Sequence, residues 1–269
     1  MRHFICQILA LAFVTNAFAW GQKGHDVVAY IAENHLSPKA KRMLDKYLDG
    51  KSISYYASYA DDYKPEMLMD LGFEPSNAKR KVTFPHTFSV DENYNILRGQ
   101  RDGDKFVKNC VYLADEFAAD LKANHRNMED SLRMLKIVMI VHWLGDMHCP
   151  KHIRYPEDQT IGYYKVKWRG RSVRYHDVCV FFEELHPWGL VDCAEMLDDC
   201  DKSEIKAITA GNVYDWGVDI AKRARCVNEF KEGDVIDIHA FRNKYRNLAE
   251  TSVRDAGYRL AAIFNEIFK

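Results

Sequence analysis

The feature that most constrains the fold of this chain is a long apolar segment at residues 129–148. Its apolar residues recur at three- and four-residue spacings, which indicates a helix. A helix this apolar is expected to lie in the protein interior. His142 and Asp146 are four residues apart within it and therefore share one helix face. Burying a histidine and an aspartate is unfavourable unless they pair with each other or bind something.

The stretch VHWLGDMHCPKH, residues 141–152, adds two more histidines. Pro150 should end or kink the helix, so a turn there could bring His152 back towards the same pocket. His148 points to another side of an ideal helix and is left out of the predicted site. A histidine and an aspartate at this spacing often form only a hydrogen-bonded pair. Three histidines within eleven residues favour a metal site instead, because histidine is the commonest metal ligand.

Further candidate ligands lie elsewhere in the chain: Asp61 in SYADDYK, His86 after a proline, and His176 at the end of a predicted hairpin. A mixed set of histidine and aspartate without cysteine favours zinc, and manganese or iron less strongly. A cluster of such metals suits hydrolysis, because it lowers the pKa of bound water and clamps a phosphate.

Helical spacing also dominates the rest of the chain. It predicts helices over 27–35, from Pro38, over 105–122, near 203–225 and over 239–268. Alternating residues at 162–175, around Arg169-Gly170, predict a β-hairpin. The turn-rich residues 70–104 predict a long surface loop. The predicted fold class is therefore mainly α, a single multi-helix domain with a small β-hairpin.

The N-terminal residues 1–19 have the pattern of a secretory signal peptide: a positive start, a short apolar run, and Ala17-Phe18-Ala19. Cleavage after Ala19 would make Trp20 the first residue. Its free α-amine could then bind a metal together with His25. The alternative is that Trp20 is a core aromatic residue and His25 a helix-surface residue.

Composition limits the classes of partner. The chain has 269 residues, is 47% hydrophobic and contains no linker or repeat, so we predict one domain over 20–269. The formal net charge of −1 leaves no bulk attraction to nucleic acid. No segment is long and apolar enough to predict a stable membrane span. Export permits disulfides, and Cys193 with Cys200 is the closest candidate pair.

The motifs, taken in order, resemble those of the S1/P1 nuclease family. They are WGxxGH at the new N-terminus, AD followed by a basic residue, an isolated histidine, HxxGDxHxPxH, and a histidine after a hairpin. The resemblance spans nearly the whole mature chain. It implies an exported zinc-dependent nuclease or 3′-nucleotidase, with an α-helical fold of the type shared with bacterial zinc phospholipase C.

The resemblance also implies roles for individual residues. The metal ligands would form three groups: Trp20 (through its α-amine and carbonyl) with His25; Asp61, His86 and His142; and His152 with His176. Asp146 would bridge the zinc ions of the first two groups, and Asp61 and Asp146 would be the catalytic carboxylates. Lys64 would bind the substrate and steady the charge that builds on its phosphoryl oxygens. The third zinc ion would stabilise the leaving 3′-oxygen.

The sequence departs from the family at the third zinc site. Val180 stands where the family has an aspartate, four residues after the hairpin histidine. The site thus keeps two protein ligands, whereas a catalytic zinc usually has three. Four nearby residues could replace the missing ligand: Asp177, Cys179, Glu183 and Glu184. If none does, two zinc ions are expected.

A second departure lies after His86, where the family has an aromatic residue followed by an acidic or amide residue. This chain has Thr87, Phe88 and Ser89. Phe88 could stack on a nucleobase, or it could belong to the core. Cys149 replaces the family's usual glutamine. Base preference is therefore more doubtful than phosphoester chemistry.

Basic and aromatic residues alternate along the predicted hairpin, 162–175. This pattern could follow a phosphate backbone. It is equally typical of any half-exposed hairpin.

Together these features predict an exported zinc-dependent phosphoesterase that cuts single-stranded DNA or RNA or removes 3′-phosphates from nucleotides. It is expected to be a monomer and to be periplasmic or extracellular. One alternative is a phosphomonoesterase or phospholipase-like enzyme with a dinuclear zinc centre. The other is a non-catalytic scaffold that binds metal or nucleotide.

Overall fold

The computed structural model describes residues 20–62, 85–102, 105–179 and 188–269. Helices dominate these residues, which confirms the mainly α fold class. The helices are α1 (Gly21–Asn34), α2 (Pro38–Tyr47), α3 (Tyr59–Asp62), α4 (Cys110–Asn124), α5 (Asp130–His148), α6 (Tyr175–Cys179), α7 (Leu190–Leu197), α8 (Lys202–Ile208), α9 (Val213–Ala224) and α10 (Ile238–Ile267). Short 3₁₀ turns lie at Ser54–Tyr56, Pro150–His152 and Arg225–Glu229.

Short strands form three small sheets in the described parts of the chain. The strands are β1 (Phe88–Val90), β2 (Ile96–Leu97), β3 (Gly99–Asp102), β4 (Lys105–Lys108), β5 (Ile153–Arg154), β6 (Lys165–Trp168), β7 (Arg171–Arg174) and β8 (Val235–Ile236). β1 lies between antiparallel β2 and parallel β5, and β3 pairs with β4. β6 lies between antiparallel β7 and parallel β8.

The main core forms where α10 packs along α1 and also contacts α4 and α5. α10 and α1 approach closely at Gly257. A Cβ atom there would lie 2.7 Å from the Cβ of Ile31 and 3.0 Å from the carbonyl oxygen of Val28. Glycine therefore permits this contact, which fixes α1 and its His25 against the core.

Helix α5 lies in this core, as its composition predicts. Every residue from Ile137 to His148 is buried. The helix ends where Cys149 adopts an extended conformation and Pro150 begins a 3₁₀ turn. The N–H of His152 donates to the carbonyl of Cys149 at 2.9 Å, so the chain turns sharply after the proline.

The predicted hairpin is confirmed as β6 and β7, which turn at Arg169 and Gly170. Both turn residues have positive φ angles, 49° and 74°. This is the conformation that a two-residue hairpin turn requires. Val166 pairs with Val173, and the hairpin leads directly into α6, which begins at Tyr175.

Three predicted helices have different bounds. The helix expected over 27–35 already begins at Gly21. The helix expected over 105–122 begins only at Cys110, because Asn109 caps it by accepting a hydrogen bond from the Tyr112 N–H at 3.0 Å. Residues 105–108 form β4 instead. The helix expected near 203–225 is divided into α8 and α9. Gly211 has a φ of 86° and Asn212 caps α9, so the chain turns between the two helices.

The surface-loop prediction for 70–104 is also partly wrong. β1 to β3 lie within this range, and all three residues of β1 are buried because β2 and β5 flank it. Residues 70–84 and 103–104 lie outside the described residues.

The six cysteines that the structure describes are free thiols, so the disulfide considered for Cys193 and Cys200 is absent from it. Cys193 is buried on α7, whereas Cys200 lies beyond that helix and is only partly buried. Among the described helices, none is long and apolar enough to cross a membrane. The predicted signal peptide at 1–19 lies outside the described residues.

Candidate metal centre

Helix α5 places His142 and Asp146 side by side in the interior, as their spacing predicts. Both are fully buried, and His142 Nε2 lies 3.3 Å from Asp146 Oδ2. The Nδ1–H of His142 donates to the carbonyl of Ala57 at 2.9 Å. This bond fixes the ring so that Nε2 faces the carboxylates. Asp61 on α3 is the second of these, with its Oδ1 3.7 Å from His142 Nε2.

Helix α1 brings His25 to the same place. Its ring stacks on His142 with centroids 4.2 Å apart, and its Nε2 lies 3.5 Å from Asp146 Oδ1. Ligand atoms of His25, His142 and Asp146 all lie within 4.8 Å of one another. The structure thus places His25 inside the site rather than on a helix surface.

Gly145 makes this approach possible, although sequence reasoning gave it no role. A Cβ atom at this position would lie 2.5 Å from His25 Nδ1. Any larger residue would therefore push His25 away from Asp146. The sequence signal that could have indicated this role is the position of Gly145 within the HxxGDxH motif.

The turn after Pro150 brings His152 into contact with Asp146, at 3.3 Å between Nδ1 and Oδ1. His176, at the start of α6, stacks on His152 with ring centroids 5.3 Å apart. His86 meets the edge of the His152 ring at 4.9 Å. His86, His152 and His176, all three predicted as ligands, therefore lie next to one another.

The polar atoms of this group lack the partners that buried groups normally have. Both ring nitrogens of His25, His152 and His176, and both carboxylate oxygens of Asp146, are buried without a hydrogen-bond partner among the described residues. Such atoms are rare in folded proteins and cost stability unless something binds them. Imidazole nitrogens and carboxylate oxygens are zinc ligands, so the donor set fits that metal.

The histidines and aspartates of this group shift one another's pKa values. Burial alone would lower the pKa of His142, but Asp146 and Asp61 raise it to about 9. Burial works against ionisation of Asp146, yet His142, together with His152 and His25, holds the pKa of Asp146 well below its usual range. The carboxylate therefore stays ionised among the imidazoles. Burial, reinforced by His142, lowers the pKa of His25, which favours its neutral form.

Asp177 lies nearest to His176 among the described candidates for the missing ligand. Its Oδ1 is buried and lies 3.5 Å from His176 Nδ1, while its Oδ2 accepts a hydrogen bond from Arg174 Nε at 3.0 Å. Burial raises the pKa of Cys179 to about 12, so that side chain holds its proton. Val180, Glu183, Glu184 and the predicted substrate-binding residue Lys64 lie outside the described residues.

Two other predicted residues lie in the hydrophobic core. Trp20 is buried and immediately precedes α1. Phe88 is fully buried in β1 between two neighbouring strands, so the prediction that it stacks on a nucleobase is wrong. The core alternative for Phe88 holds.

Lys151 is an unexpected residue beside the site, because it is fully buried. Its Nζ donates to the Asp158 carboxylate and, at 2.7 Å, to the Asn228 side-chain oxygen. Its stem packs against Gly162, where a Cβ atom would lie 2.8 Å from Lys151 Cε. The carbonyl of Gly162 in turn accepts the His176 N–H at 2.9 Å. Lys151 thus connects the turn that carries His152 with the segment that carries His176.

Comparison with known proteins points to one family. A sequence model of the S1/P1 nuclease family matches residues 20–269. Endonuclease 4 of Arabidopsis thaliana is 23% identical over all of this chain and 96% of its own length. Endonuclease 2 of the same plant is 23% identical over 98% of this chain and 96% of its own length. Nuclease S1 of Aspergillus oryzae is 30% identical over 54% of this chain and 47% of its own length.

Proposed function

The chain belongs to the S1/P1 nuclease family of phosphoester hydrolases, and we propose that it is an exported, zinc-dependent enzyme that cleaves single-stranded nucleic acid and 3′-nucleotides. The observation that carries the zinc part of this proposal is the set of buried histidine and aspartate atoms without hydrogen-bond partners among the described residues. Without a ligand, these buried polar atoms would lower the stability of the fold and nothing would compensate for that loss.

We propose that zinc is held by the predicted ligand residues that lie close together. His25, His142 and Asp146 form the best-defined group; Asp61 lies beside His142, and His86 lies beside His152. His152 and His176 form the remaining pair. When bound, zinc supplies Lewis-acid chemistry, which makes water a stronger nucleophile near neutral pH and offsets charge on phosphoryl oxygens.

The protein's own residues orient the metal ligands and neutralise charge in the site. The Ala57 carbonyl fixes the tautomer of His142 and directs its Nε2 towards Asp146. Asp146 stays ionised at the centre of the histidines, where it compensates positive charge. Lys64, outside the described residues, contributes a positive charge to the phosphate.

Asp177 compensates for Val180. Its carboxylate lies beside His176 Nδ1 and is itself held by Arg174. A small rotation of the ring would let this carboxylate accept from Nδ1, orient the ring and leave Nε2 for the metal. This arrangement supports retention of the third zinc ion without the family's aspartate.

Export explains the position of Trp20. The family match begins at residue 20, which is the residue that cleavage after Ala19 would expose. The new α-amine would join His25 as a ligand, because α1 starts at the next residue. Adding one residue before Trp20 should therefore lower both zinc content and activity.

The test is zinc per chain, by elemental analysis of protein with Trp20 confirmed as its first residue, together with turnover of a single-stranded oligonucleotide and of 3′-AMP. Three zinc ions with turnover are expected. Two zinc ions with preference for phosphomonoesters or phosphatidylcholine would favour the dinuclear alternative. One zinc ion or none, with no turnover, would contradict the proposal and favour a binding scaffold.

A further inference from the structure

Tyr163 contacts His176, and it and the two arginines that act on it lie outside the proposed ligand set. We call these side chains the rim cluster: Arg154, Tyr163 and Arg174. The Tyr163 ring meets the edge of His176 with centroids 5.0 Å apart. The Arg174 guanidinium lies over the Tyr163 ring, 5.3 Å from its centroid. Tyr163 nevertheless keeps 45% of its surface exposed. An open aromatic surface therefore lies directly beside a proposed zinc ligand.

Arg154 is the second arginine of the rim cluster. It follows the His152 turn in β5, and its Nε lies 3.4 Å from Thr87 Oγ1. Its Nη1 donates to the carbonyl of Gln159, in the loop that leads to Tyr163. Both partners are neutral oxygen atoms, so neither cancels the charge of the guanidinium. The Asp158 carboxylate also acts on Arg154 but is itself paired with Lys151, so the guanidinium has no direct ion pair among the described residues.

The positive charges of the rim cluster act on Tyr163. Burial raises the pKa of Tyr163, and Arg174 and Arg154 both oppose this rise. Arg174 therefore lies against the phenol ring, and Arg154 acts on it electrostatically. An aromatic surface flanked by two cations is the arrangement with which proteins bind unpaired nucleotides.

We propose that the rim cluster is a subsite for the nucleotide next to the reacting phosphate of a single strand, with the base stacked on Tyr163 and a backbone phosphate contacting Arg154. Arg174 is paired with Asp177 and supports the Tyr163 ring. This inference rests on the proposed function and specifies how its substrate is held.

The chemistry of the cluster favours a single strand over other phosphoesters. Stacking on tyrosine needs an unpaired base with a free face, which a duplex does not offer. Every base has such a face, so the subsite binds without sequence preference. A phospholipid would gain little from a flat ring between two charges, because its acyl chains need an apolar surface.

The experiment compares two substrates of the zinc-loaded mature chain: a single-stranded oligothymidylate and bis(p-nitrophenyl) phosphate, which has no neighbouring nucleotide. Tyr163→Ala should raise KM for the oligonucleotide about tenfold, the effect of one lost base stack. The rise for the small ester should be much smaller. Tyr163→Phe keeps the ring and should recover most of the loss.

Tyr47→Ala is the matched control. Tyr47 also has a histidine against its ring edge, His125 at 5.7 Å, and an arginine over its face, Arg133 at 4.2 Å. It lies near the start of α5, whereas His142 and Asp146 lie towards the end. This variant should leave KM for both substrates as in the wild type.

Salt dependence tests Arg154. Arg154→Gln should lower the slope of log KM for the oligonucleotide against log salt by about 0.7, the value for one phosphate contact with a single strand. Arg154→Lys should retain most of the slope, because it keeps the charge.

The outcomes are distinct. Equal effects of Tyr163→Ala on both substrates, or none on either, would overturn the subsite while leaving the proposed function intact. Faster turnover of phosphatidylcholine vesicles that is equally impaired by Tyr163→Ala would assign the rim cluster to a lipid headgroup and also overturn the inference. Failure of the wild-type chain to hydrolyse either phosphodiester would count against the proposed function itself.

Discussion

Helix α5 carries buried histidines on two sides, and the two sides differ in how their polar atoms are satisfied. On one side, His142 and Asp146 face His25 and His152 at 3.3–3.5 Å, and most of the polar atoms there have no hydrogen-bond partner in the described chain. On the other side, His148 Nδ1 donates to the Leu144 carbonyl at 2.8 Å.

His148 Nε2 also has a partner, since it accepts from Arg259 Nη1 at 2.9 Å. The remaining nitrogens of Arg259 donate to the Ile208 carbonyl at 3.0 Å and to Asp219 Oδ2 at 2.8 Å. A histidine whose two nitrogens both have partners needs no ligand. The difference teaches that burial alone does not mark a functional histidine, whereas burial without partners does.

The difference between the two sides of α5 predicts that, among these substitutions, one at Asp146 has the largest effect on zinc binding and activity. Asp146→Asn keeps the shape and removes the negative charge at the centre of the histidines. We expect zinc content to fall, and kcat/KM for single-stranded DNA to drop by more than the about 10–100-fold typical of residues that only orient metal ligands.

Asp219→Asn is the matched control on the opposite side of α5. It weakens a partner of Arg259 and should lower the free energy of unfolding while leaving zinc content unchanged. Equal zinc loss in both variants would remove the distinction between the two sides.

Lys151 sharpens the comparison, because it lies beside the site and yet has partners. Lys151→Met keeps most of the volume but leaves Asp158 without its cation. Removing one member of a buried ion pair costs about 3–5 kcal/mol, so urea unfolding should show a loss of this order. Zinc content at saturation should persist.

Lys136→Met provides the control, because its pair with Asp120 is more exposed, and the loss should stay below about 1 kcal/mol. A Lys151→Met protein of normal stability that cannot hold zinc would place Lys151 in the metal centre instead.

A substitution at Asp177 tests whether the side of α5 whose polar atoms lack partners continues to His176 as a metal site. Asp177→Asn keeps the size of the side chain but weakens its hold on the ring. We expect zinc affinity at the His152–His176 pair to fall by about 10–100-fold. Competition with a chromophoric chelator measures this directly, and one zinc ion should be lost first. Unchanged affinity would show that Asp177 does not orient His176 for the metal.

The parts of this architecture that the sequence predicted depend on local spacing. His142 and Asp146 share a face because they are four residues apart, and Pro150 forces the turn that returns His152. The hairpin followed from alternation around Arg169-Gly170. These patterns need no knowledge of distant residues.

The parts that escaped prediction depend on tertiary contacts. Phe88 is buried because β1 pairs in parallel with β5, a strand 65 residues later. Lysine is normally exposed, so nothing local indicated that Lys151 meets Asn228 across the chain. Asp177 could not be preferred over its neighbours from spacing alone, because the choice rests on a 3.5 Å approach to His176.

The smallest predicted effect concerns His148 and pH. Burial, reinforced by Arg259, holds the pKa of His148 well below its usual range, whereas the unfolded chain titrates near 6.5. Below that pH the unfolded state takes up a proton that the folded state refuses, so acid favours unfolding. Above that pH, His148 adds no pH dependence.

His148→Gln can still accept from Arg259 but does not titrate. Between pH 7 and pH 5 at fixed zinc, the wild type should therefore lose about 2 kcal/mol more unfolding free energy than the variant. Parallel losses in urea titrations would mean that His148 is protonated in the folded protein, and the two sides of α5 would then be less different than their contacts indicate.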